Sequence, residues 1–259
     1  MAGWALAKCP RCGVRFTVEV PSAEQIQGIY DEIYSEEGHY RMLVDELRRH
    51  KETGTGGGGH YRSRIFLDRY EPEPGDRLLD VGCGAGTFML NAQQRGWSVE
   101  GTDLSSTAVR ASSDVHGLPV RVGDFLDLDF EEGAYRAITA WEVFMHLPDP
   151  QAMLAKARRL LRPGGVVVLS VPNEGRKVPY ARRGPESGPP VLLNFWDKAS
   201  LRRFFELNGF RVERLMPQRT MMSLAHPSEG RLRFLRLQAG ALLGLYEGIH
   251  LFAAATPAD

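Results

Sequence analysis

Three glycines at alternate positions, Gly82, Gly84 and Gly86, form the segment of this 259-residue chain with the clearest chemical meaning. They follow an apolar run at 78–81 and precede a stretch with helical periodicity. Because glycine has no Cβ, the backbone there can turn tightly and approach a bound molecule closely. The N-terminus of the following helix would present unpaired N–H groups to that molecule. The spacing therefore predicts a ligand-binding loop between a buried strand and a helix.

Acidic residues stand at the ends of three successive apolar runs. Asp80 comes just before the glycines, Asp103 follows 23 residues later, and Asp124 ends the third run. Open α/β sheets bind their ligands at the carboxyl ends of the strands, where Asp103 could accept hydrogen bonds from both ribose hydroxyls. Asp124 followed by Phe125 suits an adenine, with the carboxylate taking the amine and the ring stacking. Each acid alone could be a helix N-cap, but the three together predict an adenosine cofactor.

The spacing of the glycines distinguishes between adenosine cofactors. Nicotinamide enzymes use G-x-G-x-x-G, whereas this chain has G-x-G-x-G with Asp80 two residues before the first glycine. That carboxylate would repel a pyrophosphate but would attract a cationic amine. No Gly-Lys-Ser/Thr follows, which excludes a Walker loop. The loop therefore favours S-adenosylmethionine over NAD.

These motifs resemble those of the class I S-adenosylmethionine-dependent methyltransferases, in the small-molecule group that includes the ubiquinone-biosynthesis O-methyltransferases. The likeness covers about residues 75–215. Its matching segments are Leu78–Thr87, Val99–Asp103, Gly123–Phe125, Ala140–Pro150, Arg159–Gly165 and Val171–Asn173.

The resemblance implies a role for each motif. The glycine loop would hold the methionine end of the cofactor, Asp103 its ribose and Asp124 its adenine, with Phe125 beside the ring. The expected cofactor-binding residues are Asp80, Gly82, Gly84, Gly86, Asp103, Leu104, Asp124, Phe125 and Trp141.

The run Trp141–His146 lies where the acceptor is expected. Related quinone methyltransferases carry Glu-x-x-Glu-His here, but Met145 replaces the second Glu, and two ligands make a poor Mg²⁺ site. We expect His146 to be the general base for a hydroxyl acceptor, because imidazole titrates near neutrality. Glu142, four residues earlier, would orient the ring or stabilise its charged form. The alternative is that His146 is structural and that Trp141 and Phe144 pack in the core.

Cys9 and Cys12 in Cys-Pro-Arg-Cys-Gly have the form of a zinc knuckle, but structural zinc needs four ligands. The third cysteine, Cys83, lies in the glycine loop. The missing ligands could come from a second chain or from histidines. Two interpretations stay open: a zinc site that includes Cys9 and Cys12, or a degenerate zinc ribbon without metal. The candidate histidines are His39, His50 and His60.

The elements that must position these residues alternate between strands and helices. Right-handed βαβ units at this spacing predict an α/β fold, a Rossmann-like doubly wound and mostly parallel sheet with helices on both faces. A late strand–helix–strand arrangement would complete seven strands. We expect strands at 77–81, 97–102, 119–123, 135–141, 165–171, 210–215 and 250–255, and helices at 86–95, 105–115, 150–162, 197–208 and 229–243.

The chain divides by composition into three predicted domains. Residues 1–21 form a short Cys-x-x-Cys hairpin, and residues 22–74 a helical cap that Ser22 begins and the glycines at 54–59 interrupt. Residues 75–259 form the S-adenosylmethionine-binding domain. Within it, we expect 173–196, with Trp196, to form part of a wall around the acceptor.

Composition limits the function classes. Lysine plus arginine number 32 and aspartate plus glutamate 32, so there is no electrostatic footprint for nucleic acid. No apolar run approaches the ~20 residues of a membrane span, and the start does not have the pattern of a signal peptide. Three cysteines without such a signal suggest a reducing, cytoplasmic location.

We therefore expect an enzyme that methylates a small-molecule acceptor, with a hydroxyl favoured over an amine or a carbon. Neither nucleic acid nor membrane is an expected partner, and a homodimer is left open. The alternatives are a catalytically silent S-adenosylmethionine-binding module and a nicotinamide-dependent oxidoreductase. The early third glycine and Asp80 argue against the oxidoreductase.

Overall fold

The computed structural model describes residues 4–22, 24–25, 36–53, 65–175, 188–218 and 250–258. The chain divides into two compact units. Unit 1 comprises residues 1–20, 144–148 and 169–258, and unit 2 comprises 21–143 and 149–168. The three predicted domain boundaries stay a prediction.

A seven-stranded sheet carries the fold, as the alternating apolar runs predict. Its strands are β3 (Arg77–Val81), β4 (Ser98–Asp103), β5 (Val120–Val122), β6 (Tyr135–Trp141), β7 (Leu161–Pro172), β9 (Phe210–Gln218) and β10 (His250–Pro257). Their order in the sheet is β5-β4-β3-β6-β7-β10-β9. The pairs β3–β4, β3–β6 and β4–β5 are parallel, while β10 and β9 are antiparallel.

The strands β3 and β6 have the predicted bounds, and the others lie within one to three residues of them except at the start of β7. Its predicted start at residue 165 is wrong, because the strand begins directly after the preceding helix. Pro163 and the two glycines after it lie inside the first part of the strand, where Gly164 has φ +73°.

Five helices lie within the described residues: α1 (Glu36–Thr53), α2 (Thr87–Gln94), α3 (Ser106–His116), α4 (Pro150–Leu160) and α5 (Lys198–Leu207). Local capping explains where three of them begin. The side chains of Ser105, Asp149 and Asp197 accept hydrogen bonds from backbone N–H groups in the first turns of α3, α4 and α5. The predicted helix at 229–243 and the glycines at 54–59 lie outside the described residues.

Helix α1 packs against α3 and against the glycine loop within unit 2. Val44 and Leu47 form a buried cluster with Ala85 of the loop and Ala111 of α3. Burial of these side chains removes apolar surface from water and so stabilises the packing of α1. The loop is therefore supported by a helix from the region that the sequence predicts to be a cap.

Unit 1 contains a second, three-stranded sheet in the order β1-β2-β8. The hairpin of β1 (Leu6–Lys8) and β2 (Arg15–Thr17) is the predicted one. The third strand, β8 (Asn194–Phe195), is only two residues long and gives no periodic signal in the sequence. It pairs antiparallel with β2.

Aromatic side chains fill the core of unit 1. Phe144 is fully buried and lies 5.2 Å from the ring of Trp196, 5.9 Å from Phe204 and 6.3 Å from Phe205, centroid to centroid. Trp196 is also fully buried, so its ring belongs to this core. For Phe144, the core-packing alternative is the one that the structure supports.

The part of the chain that the structure describes contains no helix with the length and hydropathy of a membrane span.

Phe144→Ala should lower the free energy of unfolding by about 3–5 kcal/mol, because it leaves a cavity among three aromatic rings. Urea denaturation measures this loss. Val18→Ala, at a side chain 53% exposed in the same unit, serves as the control and should change stability by less than about 0.5 kcal/mol. A loss for Phe144→Ala no larger than that of the control would contradict the packing described above.

Candidate active site

The glycine loop between β3 and α2 turns in the left-handed region of backbone conformation. Gly82, Gly84 and Gly86 have φ of +65°, +55° and +82°. Such angles are strained for residues with a Cβ, which explains the glycines at alternate positions. The N–H groups of Gly82 and Cys83 both donate to the carbonyl of Thr102 at the end of β4, at 2.8 and 3.1 Å. The loop is thus attached to the neighbouring strand.

The three glycines differ in what surrounds them. A Cβ on Gly82 would collide with Val143, and one on Gly86 would lie 2.7 Å from Leu118 Cδ1 and 2.9 Å from Ser112 Oγ. A Cβ on Gly84 would meet no heavy atom within 4 Å. Protein packing therefore accounts for the outer two glycines, whereas the middle one borders open space.

Asp103 forms the edge of that space at the end of β4. Its Oδ2 accepts a 2.7 Å hydrogen bond from the Gly84 N–H, and its Oδ1 accepts one of 2.8 Å from the Ser105 N–H. A carboxylate oxygen can accept more than one hydrogen bond. Leu104, next to Asp103, is 71% exposed. An apolar surface there suits the flat face of an adenine.

Asp80 and Cys83 lie deeper. Asp80 is buried and its Oδ1 accepts a 2.6 Å hydrogen bond from Thr139 Oγ1 of β6. Burial raises the pKa of the Cys83 thiol well above its usual value, and the charges of Asp80 and Asp103 raise it further. Cys83 is therefore a neutral thiol near pH 7 and is not a thiolate nucleophile.

The turn after β5 holds Asp124 and Phe125. Asp124 is exposed, and its Oδ1 accepts a 2.8 Å hydrogen bond from the Leu126 N–H. Phe125 is buried, with its ring 5.6 Å from that of Phe130. The structure thus places the carboxylate outward and the ring inward. The predicted adenine contacts of both residues stay predictions.

Sequence reasoning missed Lys156 of α4, which holds this turn in place. Its ammonium donates to the carbonyls of Leu126 and Leu128 at 2.9 and 2.5 Å and lies 5.1 Å from the Phe125 ring centroid. Burial lowers the pKa of Lys156, and this effect outweighs the opposite effect of nearby carboxylates, of which Asp129 is the strongest. A signal was present, because a lysine at the apolar spacing of Met153, Ala157 and Leu160 is unusual.

The end of β6 supplies Trp141 and Glu142. Trp141 is 6% exposed and packs edge-to-face on Phe88 at 5.0 Å. Glu142 has φ +58°, the one non-glycine residue in the left-handed region among those described. Such strained residues cluster at functional sites. Val143, which follows, packs against Gly82 and so connects this turn to the glycine loop.

His146 belongs to unit 1, whereas Glu142 belongs to unit 2. The His146 ring is half-buried, and its Nδ1 lies 2.7 Å from the carbonyl oxygen of Val191. Because a carbonyl only accepts, Nδ1 carries the proton in the neutral ring, and Nε2 is the basic nitrogen. That tautomer suits a general base that acts through Nε2.

The turn of the β1–β2 hairpin carries Cys9 and Cys12. The Cys9 N–H donates to Val14 O at 2.8 Å and the Gly13 N–H to Cys9 O at 2.9 Å. Backbone N–H groups, led by that of Cys12, lower the pKa of Cys9, whereas burial raises that of Cys12. Within the described ranges, no third residue joins them in a group that could hold a metal. Two thiols do not fill a tetrahedral zinc site, so zinc stays a prediction.

Lys156→Met should lower the free energy of unfolding by about 1–3 kcal/mol, because the backbone carbonyls of Leu126 and Leu128 lose a charged donor. We also expect weaker S-adenosylmethionine binding, since the turn with Asp124 loses its support. Denaturation and calorimetry measure the two effects. Lys198→Met, at an exposed position that begins α5, is the control. Equal behaviour of the two variants would contradict the role of Lys156.

Comparison with known proteins agrees with this geometry. A family model described as "Methyltransferase domain" matches residues 59–215, more than half of the chain. A ubiquinone biosynthesis O-methyltransferase of Ralstonia nicotianae is 32% identical over 183 residues, or 64% of this chain and 74% of the relative. Nocamycin O-methyltransferase of Saccharothrix syringae is 37% identical over 119 residues, or 42% of each chain.

The matches span 40%, 42% and 51% of the lengths of three curated relatives, about half or less of each. Among solved structures, phosphoethanolamine N-methyltransferase 2 of Haemonchus contortus, in complex with S-adenosylmethionine, superposes with a TM-score of 0.62 at 18% identity. That superposition covers 95% of this chain and 62% of the other and shows a shared fold. The seven-stranded sheet, the glycine loop and the family match lead to one conclusion: the chain belongs to the class I S-adenosylmethionine-dependent methyltransferases.

Proposed function

We propose that this chain methylates a hydroxyl group on a small molecule with S-adenosylmethionine as the methyl donor. The observation that carries the proposal is the open space beside Gly84, bordered by Asp103 through a 2.7 Å hydrogen bond. When bound, S-adenosylmethionine supplies an electrophilic methyl group on a sulfonium. The residues of this chain have to hold the cofactor, orient the acceptor and remove its proton.

The cofactor would lie along the carboxyl ends of β3, β4 and β5. The left-handed glycine loop would hold the methionine end, with Asp80 as the nearby negative charge. Asp103 would accept hydrogen bonds from the ribose hydroxyls, and the exposed Leu104 would cover one face of the adenine. Asp124 would accept a hydrogen bond from the adenine amine. The charges support this arrangement, since every charged side chain named is a carboxylate and none would repel the cationic sulfonium.

His146 would remove the acceptor proton. Its Nδ1–H is engaged with Val191 O, so Nε2 would take the proton from the hydroxyl as the oxygen attacks. The role predicted for Glu142, to orient the ring or stabilise its charged form, stays a prediction. A base of this kind contributes about 10²–10⁴-fold to a rate.

A small molecule is the acceptor class we favour. The formal net charge of zero offers no field for a nucleic acid, and the Ralstonia and Saccharothrix relatives are both named O-methyltransferases. We extend the proposal to a cytoplasmic location, supported by three free cysteines.

Gly84→Ala should reduce the affinity for S-adenosylmethionine about tenfold or more, because the new methyl group enters the open space. The matched control is Gly133→Ala, where φ is +67° and a Cβ would also meet nothing within 4 Å. Both variants should lose about 1–2 kcal/mol of stability through the same backbone strain. Calorimetry that finds equal affinities for the two variants would argue against a cofactor beside Gly84.

His146→Ala should slow methyl transfer at least about a hundredfold and leave S-adenosylmethionine affinity nearly unchanged. The assay follows labelled methyl transfer to a panel of catechols and other small phenols. A variant that keeps more than about a tenth of the activity at every pH would show that no base is needed. That outcome would favour an amine or carbon acceptor and leave His146 a structural residue.

A further inference from the structure

We propose that the N-terminal hairpin positions the imidazole of His146, and that Thr17 and Asn194 are the positioning residues. The connection runs through residues 191–195, here termed the bracing segment. Every contact involved lies within unit 1. The catalytic meaning of this proposal rests on the proposed function, but the arrangement itself is tested separately below.

The bracing segment holds three consecutive residues around His146. Val191 O accepts the 2.7 Å hydrogen bond from His146 Nδ1. The N–H groups of Leu193 and Asn194 both donate to Met145 O, at 2.9 and 3.0 Å. The Asn194 side chain donates from Nδ2 to Leu147 O at 2.8 Å. Residues 145, 146 and 147 are therefore each bonded to the same short segment.

The other side of the bracing segment is bonded to the hairpin. Phe16 pairs with Asn194 in the β2–β8 ladder. The Thr17 N–H donates to Leu193 O at 2.9 Å, and Thr17 Oγ1 donates to Leu192 O at 3.2 Å. Thr17 is only 3% exposed, so solvent is not available to replace these bonds.

The hairpin is needed because the bracing segment has little regular structure of its own. Only two of its residues are in a strand, and Leu192 and Leu193 are buried. Their carbonyls would remain unsatisfied without Thr17, which is costly for buried backbone groups. Loss of the Thr17 bonds should let the segment shift, and Val191 O would then no longer fix the orientation and tautomer of the ring.

Nitrogen NMR of the full chain labelled with ¹⁵N-histidine tests this directly and requires no acceptor. Above pH 8, long-range imidazole correlations distinguish the Nδ1–H from the Nε2–H tautomer, and His146→Gln assigns the signal. We expect the Nδ1–H tautomer for His146. Thr17→Val and Asn194→Ala should each lower the ratio of Nδ1–H to Nε2–H about fivefold, as loss of one hydrogen bond predicts.

Matched controls separate positioning from general loosening of unit 1. Thr256→Val makes the same change at a buried β10 residue whose hydroxyl has no hydrogen-bond partner among the described residues. Asn208→Ala removes a 2.7 Å bond from an asparagine Nδ2 to Phe204 O, away from His146. Neither control should change the His146 signal, and Thr17→Ser, which keeps the hydroxyl, should behave as the original chain.

Two results would overturn the proposal: an Nε2–H tautomer in the original chain, or an unchanged signal in both Thr17→Val and Asn194→Ala. An unchanged signal leaves the proposed function untouched, because that is judged by methyl transfer in His146→Ala. An Nε2–H tautomer would also remove Nε2 as the proton acceptor, whereas the same methyl-transfer assay would still decide whether His146 is needed. Conversely, His146→Ala could remain active while Thr17→Val and Asn194→Ala change the His146 signal as expected. His146 would then not be the base, but its positioning by the hairpin would stand. With an acceptor in hand, Thr17→Val should lower kcat in the original chain but not in His146→Ala.

Discussion

The hydrogen bond from the Gly84 N–H to the Asp103 carboxylate is the interaction on which the cofactor side of this protein depends. It joins the end of β3 to the end of β4 at 2.7 Å. The bond requires a left-handed backbone at the loop, which glycine adopts without strain. Ala85 in the same loop packs against α1 and α3, so the loop is held from outside as well. What remains open is the side of Gly84 on which a ligand would lie.

The neighbouring turn after β5 is held by different chemistry. There the buried ammonium of Lys156 satisfies two backbone carbonyls and lies over the Phe125 ring. One loop thus places N–H groups against a carboxylate, and the other places carbonyls against an ammonium. Both arrangements satisfy backbone groups of irregular segments without a strand or helix to do so. A preorganised site needs such support, because catalysis by positioning tolerates little displacement.

The same requirement gives the N-terminal hairpin a purpose beyond its two cysteines. The segment around His146 and the bracing segment are each too short to satisfy their own backbone groups, and they do so mutually. Thr17 of the hairpin completes the arrangement from the other side. The hairpin that carries Cys9 and Cys12 is thus also part of a small sheet, whose third strand lies in the bracing segment.

The sequence by itself determined the seven strands, the positions of four of the five described helices and the glycine loop, because apolar periodicity and glycine spacing are local signals. It also placed Asp80, Asp103 and Asp124 at strand ends. Only the tertiary structure decided that Phe125 is buried, that Lys156 ties the turn beneath it, and that β8 pairs with β2. These depend on contacts between residues far apart in the chain. A two-residue strand is too short to show a period, and the apolar spacing around Lys156 marks the lysine as unusual without showing which carbonyls it contacts. Local patterns specify elements, whereas the direction and partner of each side chain are set by the packing between them.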